Sequence, residues 1–192
     1  MASSFQVLKA STVDALCSVC RAGDIVIIVQ PANLAVWAIH PFSSLVEAAS
    51  RSASAVLYVP RRIARQHGPI VVIAAGADDP SIDVATMIAA AAKEDLVLIE
   101  AGTRADAKGE LSRRSVEGIT IERRAADALR LVEPQYISSL FERLAERLVV
   151  VTRRAFDESL PSVIEALRDV PILTLERADS DAITAERDSK FS

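Results

Sequence analysis

The sequence is poor in the residues from which most catalytic and metal sites are built. It has two histidines and two cysteines, and aromatic residues make up 4% of its 192 residues. The formal net charge of −4 gives no basic footprint for nucleic acid. No apolar run approaches the roughly 20 residues of a membrane span, and the first residues lack the pattern of a signal peptide. We therefore expect a cytoplasmic protein with no membrane span and no nucleic-acid partner.

Cys17 and Cys20 have the Cys-x-x-Cys spacing of a thioredoxin-like redox pair. Such a pair belongs at the start of a helix, where the helix dipole lowers the thiol pKa. Here both cysteines continue a helical stripe that begins with Val13 and Leu16, late in a helix that we expect to end at Gly23. We interpret them as small, buried apolar residues.

The clearest unit of the sequence is Gly68–Thr103. Its apolar run Ile70–Ala75 is rich in β-branched residues and predicts a buried strand, and Pro80 marks the first turn of a following helix. A second apolar run, Leu96–Glu100, predicts the next strand, so the unit is a βαβ unit of a parallel sheet. The predicted inward face of its helix comprises Val84, Met87, Ile88 and Ala91.

Similar patterns predict the remaining elements. Half of the residues are apolar and a quarter are charged, which is typical of a globular protein. The predicted strands are Phe5–Lys9, Ile25–Val29 (as a central parallel strand), Ala55–Val59, Ile119–Arg123, Leu148–Thr152 and Ile172–Leu175. The predicted helices run from Ser11 to Arg21 and from Ser44, capped with Glu47, to Ser52; two more follow Pro134, with Ile137, Leu140, Phe141 and Leu144 inward, and Ser159, with Ile164 and Leu167 inward. Gln30–Phe42 and Gly102–Gly118 are predicted loops.

The order of these elements indicates an incomplete internal repeat. Residues 5–59 and 119–175 both follow the order strand, helix, strand, helix, strand, whereas the βαβ unit occurs once, before the second copy. We predict a partial unit at residues 1–62, a complete unit at 68–176 and a disordered tail at 177–192. The fold class is α/β, an open, doubly wound parallel sheet of Rossmann-like type.

This pattern resembles the universal stress protein family. Asp24–Val29, Ser43–Glu47 and Val56–Pro60 look like the C-terminal half of one such domain, and Ile70–Leu175 looks like a whole one. The resemblance implies a nucleotide at the carboxyl ends of the strands. In the family, an Asp closes the first strand, and a glycine-rich loop leads to Gly-Ser at a helix N-terminus, where backbone N–H groups bind phosphate.

The sequence departs from each of these binding features. Ala75 stands where the first-strand Asp would fall, and neither loop after the corresponding central strands contains glycine. What remains as a candidate nucleotide or anion site is Gly76, Asp78, Arg153, Arg154, Ser43 and Ser44. Ser43 and Ser44 stand in the place of Gly-Ser. We expect no catalytic residues, no metal and no cofactor, with ATP or AMP as the alternative.

The leading hypothesis is a non-enzymatic stress-response or regulatory protein that acts through dimerisation or partner binding. One alternative is an ATP- or AMP-binding universal stress protein, and another is a soluble regulatory module of a transporter or sensor kinase. The apolar loop around Trp37 and His40 is expected to pack internally or against a partner. The final strands of the two copies, Ala55–Val59 and Ile172–Leu175, are expected to pair within the chain or between two chains.

Overall fold

The computed structural model describes residues 12–21, 23–29, 40–60, 63, 65–102, 112–116, 118–131, 133–142, 144–153, 164, 166–167 and 169–176. The described helices are α1 (Thr12–Val19), α2 (His40–Ser52), α3 (Pro80–Ala92) and α4 (Pro134–Phe141), with a 3-10 turn at Ala128–Arg130. The described strands are β1 (Ile25–Val29), β2 (Ala55–Val59), β3 (Ile70–Ala74), β4 (Leu96–Gly102), β5 (Ser112–Val116), β6 (Ile119–Asp127), β7 (Leu148–Thr152) and β8 (Ile172–Leu175).

These strands form one eight-stranded sheet in the order β1-β2-β8-β7-β3-β4-β6-β5. Neighbouring strands from β8 to β6 are parallel, β1 is parallel to β2, and the pairs β2–β8 and β5–β6 are antiparallel. Helices pack on the sheet through two hydrophobic clusters. The predicted α/β, Rossmann-like fold is therefore confirmed.

The central βαβ unit is confirmed, because β3 pairs in parallel with β4 from Ile70↔Leu96 to Ala74↔Glu100. All five residues of β3 are buried, which explains its uninterrupted apolar sequence. Pro80 begins α3 directly after its N-cap, Asp79, and Lys93 ends it in the left-handed conformation with φ 55°.

The predicted inward face of α3 is wrong in part: Val84 and Ile88 pack against the core at partial burial, but Met87 and Ala91 are exposed. Its buried residues are Ser81, Ala85 and Ala89, whereas Met87 is 72% exposed. Small side chains let the helix axis approach β3, β4 and β7 closely, and larger residues such as Ile88 pack at the margins of the contact. Periodicity weighted by side-chain size therefore missed the small residues that make the closest contact with the sheet.

The opposite face of the sheet carries the larger cluster, which includes α4. Ile137, Phe141 and Leu144 are buried there, and Leu140 packs against them at partial burial. This confirms the predicted face of the helix that follows Pro134. The predicted inward positions Ile164 and Leu167 are buried in the same cluster, 1% and 4% exposed.

The prediction that Ile25–Val29 is a central strand is wrong for the described sheet. Among the described strands, β1 pairs with β2 alone and lies at the edge. Its alternate residues Ile25, Ile27 and Val29 are 61–63% exposed, while Ile28 and, in part, Val26 pack into the core. A continuous apolar run does not distinguish a strand buried on both faces from one that is covered on a single face.

The predicted loop Gly102–Gly118 contains regular structure. Within Gly102–Gly118, β5 forms an antiparallel hairpin with β6, and Gly118 adopts φ 86° at the turn. This strand is polar and charged, a composition typical of edge strands, so it gave no apolar signal. β6 also continues to Asp127, beyond the predicted end at Arg123, in register with β4.

Helix α2 begins at His40, four residues before the predicted cap at Ser44. Ser44 therefore lies inside the helix, and Glu47 pairs with Arg51 one turn later instead of serving a capping box. Helix α1 ends at Val19, before the predicted end at Arg21.

The final strands of the two predicted units pair with each other inside the chain. β2 runs antiparallel to β8 from Ala55↔Leu175 to Tyr58↔Ile172. This is one of the two pairings expected for them, and it places both predicted units in a single sheet. The predicted strand Phe5–Lys9, the Trp37 loop and the tail at 177–192 lie outside the described residues, and the domain boundaries stay a prediction.

Candidate functional site

The carboxyl ends of β3 and β7 lie side by side, because the two strands pair in parallel from Ile70↔Leu148 to Ile73↔Val151. Strand order reverses at β3, whose neighbours β4 and β7 both follow it in the chain but lie on opposite sides. Open parallel sheets bind ligands at such a switch point. This edge is therefore the candidate site.

The carboxylate of Asp79 occupies this edge. Its Oδ2 accepts hydrogen bonds from the Ala75 N–H at 2.8 Å and from the Thr152 hydroxyl at 3.0 Å. Its Oδ1 accepts from the N–H and the hydroxyl of Ser81, at 2.9 and 2.6 Å. One side chain thus joins the end of β3, the end of β7 and the first turn of α3.

Two predicted site residues, Gly76 and Asp78, lie in the turn between β3 and α3. The Gly76 carbonyl accepts the Asp79 N–H at 3.2 Å, and a Cβ at Gly76 would have nothing within 4 Å. Asp78 is exposed, and no hydrogen bond joins it to a described residue. Gly76 therefore belongs to the candidate site, whereas the aspartate that makes contacts there is Asp79.

Arg153 follows β7 at the same edge and is paired internally. Its Nη1 lies 3.5 Å from Oε2 of Glu176, whose side chain is 5% exposed. Burial raises the pKa of the Glu176 carboxyl, and contacts with Ser50, Arg153 and Thr174 partly offset that rise. The predicted anion-binding cation is thus directed at a buried carboxylate of the same chain.

Glu176 belongs to a buried polar cluster at the junction of β2 and β8. Its neighbours there include Tyr58, which is fully buried, and the hydroxyls of Ser50 and Thr174. The Thr174 hydroxyl lies 3.1 Å from the Val56 carbonyl and 3.4 Å from Glu176 Oε1. Burial, followed by the charge of Glu176, raises the pKa of Tyr58 to about 12. The cluster is built to hold two strands together and not to expose a reactive group.

The topology separates Ser43 and Ser44 from the other candidates. β1 and β2 run opposite to β7 and β8, so α2, which connects β1 to β2, begins at the edge of the sheet away from the candidate site. Its last turn, which contains Ser50, lies near Glu176. The two serines lie about 10 Å along the helix from Ser50, at 1.5 Å per residue. The structure describes only their backbone, and Arg154 lies outside the described residues.

The cysteine prediction is wrong in part. Cys17 is exposed and Cys20 is half-buried, so the pair is not a buried stripe. Burial and then the nearby charge of Asp24 raise the pKa of Cys20, which disfavours the thiolate that redox exchange needs. Cys20 follows the last residue of α1, so the dipole of that helix does not favour its thiolate either.

Within the residues that the structure describes, no group of three or more His, Cys, Asp or Glu side chains could hold a metal ion. No helix in that part of the chain is long and apolar enough to cross a membrane. The residues at the carboxyl edge form hydrogen bonds and ion pairs with one another. Chemically, this arrangement neutralises and fixes groups that would otherwise meet a ligand.

No protein-family model matches the chain, and no curated protein sequence matches it either. Solved structures do resemble it, each with a TM-score of 0.55. One is a universal stress protein from Archaeoglobus fulgidus DSM 4304, 14% identical over 81% of this chain and 61% of that one. Two others are a functionally unknown protein from Pseudomonas aeruginosa PAO1 and a candidate universal stress protein from P. aeruginosa UCBPP-PA14, each 18% identical; they cover 96% and 95% of this chain, and it covers 74% of each.

The shared property is the fold, a mostly parallel α/β sheet like that of the universal stress proteins. The chain spans 61% of the length of the archaeal protein, so it corresponds to part of that molecule.

Proposed function

We propose that this protein is a non-enzymatic regulatory protein of the universal stress type that works by binding a partner and not by binding nucleotide. The observation that carries the proposal is the Asp79 carboxylate, which accepts four hydrogen bonds at the switch point of the sheet. The Ser81 N–H, a donor that a phosphate would use at the start of α3, is already bonded to it.

The charge of Asp79 also opposes an anion. A phosphate charge about 4 Å from this carboxylate would meet a repulsion of about 4 kcal/mol at an effective dielectric constant of 20. The nearest described cation of the candidate set, Arg153, is paired with Glu176 and does not offset this cost. ATP and AMP are therefore expected not to bind at this edge.

Thermal unfolding with and without ATP or AMP tests this proposal. A ligand present at 100 times its Kd stabilises by about 2.7 kcal/mol, which raises the Tm of a chain of this size by roughly 5–11 °C. We expect no such shift, and no nucleotide in native mass spectra of the purified protein. A saturable shift in the wild type, or a co-purified nucleotide, would refute the proposal. Asp79→Asn separates charge from shape, because a shift gained only in this variant identifies the carboxylate as the block.

The open space at Gly76 favours nucleotide binding as the second candidate function, since backbone can approach a ligand there without a side chain in the way. Gly76→Val then provides a direct test. Loss of an ATP-dependent shift in this variant would support the second candidate, whereas an equal shift in both proteins would place the nucleotide elsewhere.

We also propose that the partner surface is the edge formed by β1, and that its first occupant is a second copy of the chain. Ile25, Ile27 and Val29 project from one face of this strand and are 61–63% exposed. Two such strands would pair antiparallel about a twofold axis and cover the edge that β1 forms among the described strands. The pairing of β2 with β8 inside the chain leaves those strands unavailable for this purpose.

Light scattering at two concentrations tests the dimer. Ile27→Lys places a charge in the middle of the exposed row, and we expect it to shift the mass from dimer to monomer. Met87→Lys is the matched control, because Met87 is also an exposed apolar residue, at 72%, but lies on α3. A wild-type protein that is monomeric at both concentrations, or a dimer that Ile27→Lys leaves intact, would contradict this assignment.

A further inference from the structure

The edge strand β1 has an open side. Among the described strands it pairs with β2 alone, so the backbone N–H and C=O groups on its other side have no strand partner in that part of the chain. An unpaired strand edge readily accepts another strand. The residues that precede α1 lie outside the described residues and are close to this edge along the sequence. They are therefore an occupant that the chain itself can supply.

Helix α1 fixes where those residues meet the described structure. Leu16 of α1 and Ala49 of α2 belong to the same hydrophobic cluster, so the two helices lie on one face of the sheet. α1 leads into β1 through a short turn, in which the Arg21 N–H donates a hydrogen bond to the Asp24 carboxylate at 2.8 Å. A helix that packs on a sheet and leads directly into one of its strands runs back along that strand. The first residue of α1, Thr12, therefore lies toward the carboxyl end of β1.

The β1–α2–β2 unit indicates the position of a strand that leads into α1. β1 and β2 are adjacent and parallel, and α2, which joins them, lies on the face that α1 shares. Connections of this kind are right-handed in about 98% of cases. A strand before α1 repeats the hand of this unit when it lies parallel to β1 on its open side, because the chain then crosses the sheet in the same direction over the same face. The opposite side of β1 is taken by β2.

The sequence before α1 has the length and composition for such a strand. The apolar pattern predicts a strand at Phe5–Lys9, which has five residues, as β1 has. Ala10 and Ser11 then connect its end to Thr12, and two residues are enough for a connection between a strand and a helix. Both ends of that connection lie toward the carboxyl end of β1, so the chain has the length to place this strand there.

We propose that Phe5–Lys9 adds to β1 as a parallel edge strand, and that a second copy of the chain displaces it when the dimer forms. This inference rests on the proposed function, in which the edge of β1 is the dimer surface. A segment tethered by a short connection acts at an effective concentration in the millimolar range. It therefore occupies the edge at low protein concentration, and its hold on β1 sets the concentration at which the dimer forms.

Hydrogen exchange of the full chain tests the occupancy, at a concentration where light scattering gives the mass of the monomer. Val7→Pro combined with Leu8→Pro removes two consecutive N–H donors, so at least one pairing position is lost whichever residue of the strand faces β1. Ser3→Pro combined with Ser4→Pro is the matched control, because it introduces the same two prolines just before the predicted strand. We expect those amides of Ile25–Val29 that do not bond to β2 to exchange about tenfold faster or more in the first double variant than in the wild type or the control.

The dissociation constant of the dimer tests the competition in the same three proteins. If Phe5–Lys9 holds the edge in about nine chains of ten, both copies have a free edge in about one pair of a hundred, so the variant at positions 7 and 8 should dimerise about 100-fold more tightly than the control. The inference is overturned if the amides of β1 exchange alike in all three proteins, or if a dimer forms equally tightly in variant and control. Equal dimers that Ile27→Lys still breaks would overturn this inference and leave the proposed function intact. Faster exchange in the variant without a dimer at any concentration would instead refute the dimer and support the strand.

Discussion

Replacement of Asp79 by alanine should unfold the junction of β3, β7 and α3 more easily than its position near the surface suggests. The substitution removes the N-cap of α3, which costs about 1 kcal/mol. It also leaves the hydroxyls of the buried residues Ser81 and Thr152 without their acceptor, at about 1 kcal/mol each. Ala75 is exposed, so water replaces the bond to its N–H at little cost. The expected loss is about 3 kcal/mol of the free energy of unfolding.

Urea and thermal unfolding measure this loss. For a chain of this size, about 3 kcal/mol lowers the Tm by roughly 6–12 °C. Asp78→Ala is the matched control, because it removes the same side chain one residue earlier, where it is exposed and makes no hydrogen bond to the described residues. We expect the control to stay within about 0.5 kcal/mol of the wild type.

Asp79→Asn should fall between the two. The asparagine amide oxygen can keep both bonds from Ser81, and the rotatable Thr152 hydroxyl can accept a hydrogen bond from the amide NH₂ group. The Ala75 N–H has no acceptor on the asparagine and bonds to water instead. The expected cost is about 1 kcal/mol. Equal stabilities of Asp79→Ala and Asp78→Ala would refute the reasoning, because they would mean that the four hydrogen bonds contribute nothing.

Four further variants test other parts of the fold. Gly68→Ala should cost about 3 kcal/mol of unfolding free energy or more, because φ is 138° there and the new Cβ would meet the Ala145 carbonyl; a wild-type Tm would contradict that packing. Between pH 10 and 12 the wild type should lose up to about 2.7 kcal/mol relative to Tyr58→Phe, because the unfolded tyrosine ionises at lower pH than the folded one, whose pKa is about 12; parallel stability curves would refute this. Ala85→Leu should destabilise by about 1–3 kcal/mol, whereas Met87→Ala should stay within about 0.5 kcal/mol, and the reverse order would restore the originally predicted face of α3.

Much of the sheet could be predicted from sequence because its strands are short apolar runs. The bounds of Ala55–Val59, Leu148–Thr152 and Ile172–Leu175 agree with the structure residue for residue. The exceptions have physical causes. The strand Ser112–Val116 is polar because it lies at an edge, and the packed face of α3 is made of residues too small to dominate a hydrophobic pattern.

The candidate site could be predicted in place but not in detail. The pattern Asp78-Asp79-Pro80-Ser81 marks a helix start, and a proline at the first helical position makes the residue before it the N-cap. That signal identifies Asp79 and was available in the sequence. Glu176 had no comparable signal, because its partners Ser50 and Tyr58 come from the other end of the chain and meet it only through the antiparallel pairing of β2 with β8.

At the carboxyl edge of this sheet, two carboxylates of the chain itself bind the groups that could otherwise bind an anion. Asp79 accepts hydrogen bonds from the N–H groups at the end of β3 and the start of α3. Glu176 forms an ion pair with Arg153, which follows β7. Glu176 also extends the pairing of β8 with β2, because its N–H donates a hydrogen bond to the Ser54 carbonyl at 2.9 Å. Under the proposed function both carboxylates keep an anion from this edge, whereas Glu176 alone also joins the two predicted units into one sheet. The two roles of Glu176 are linked, so a variant that frees Arg153 by removing the Glu176 carboxylate should also weaken the junction of β2 with β8.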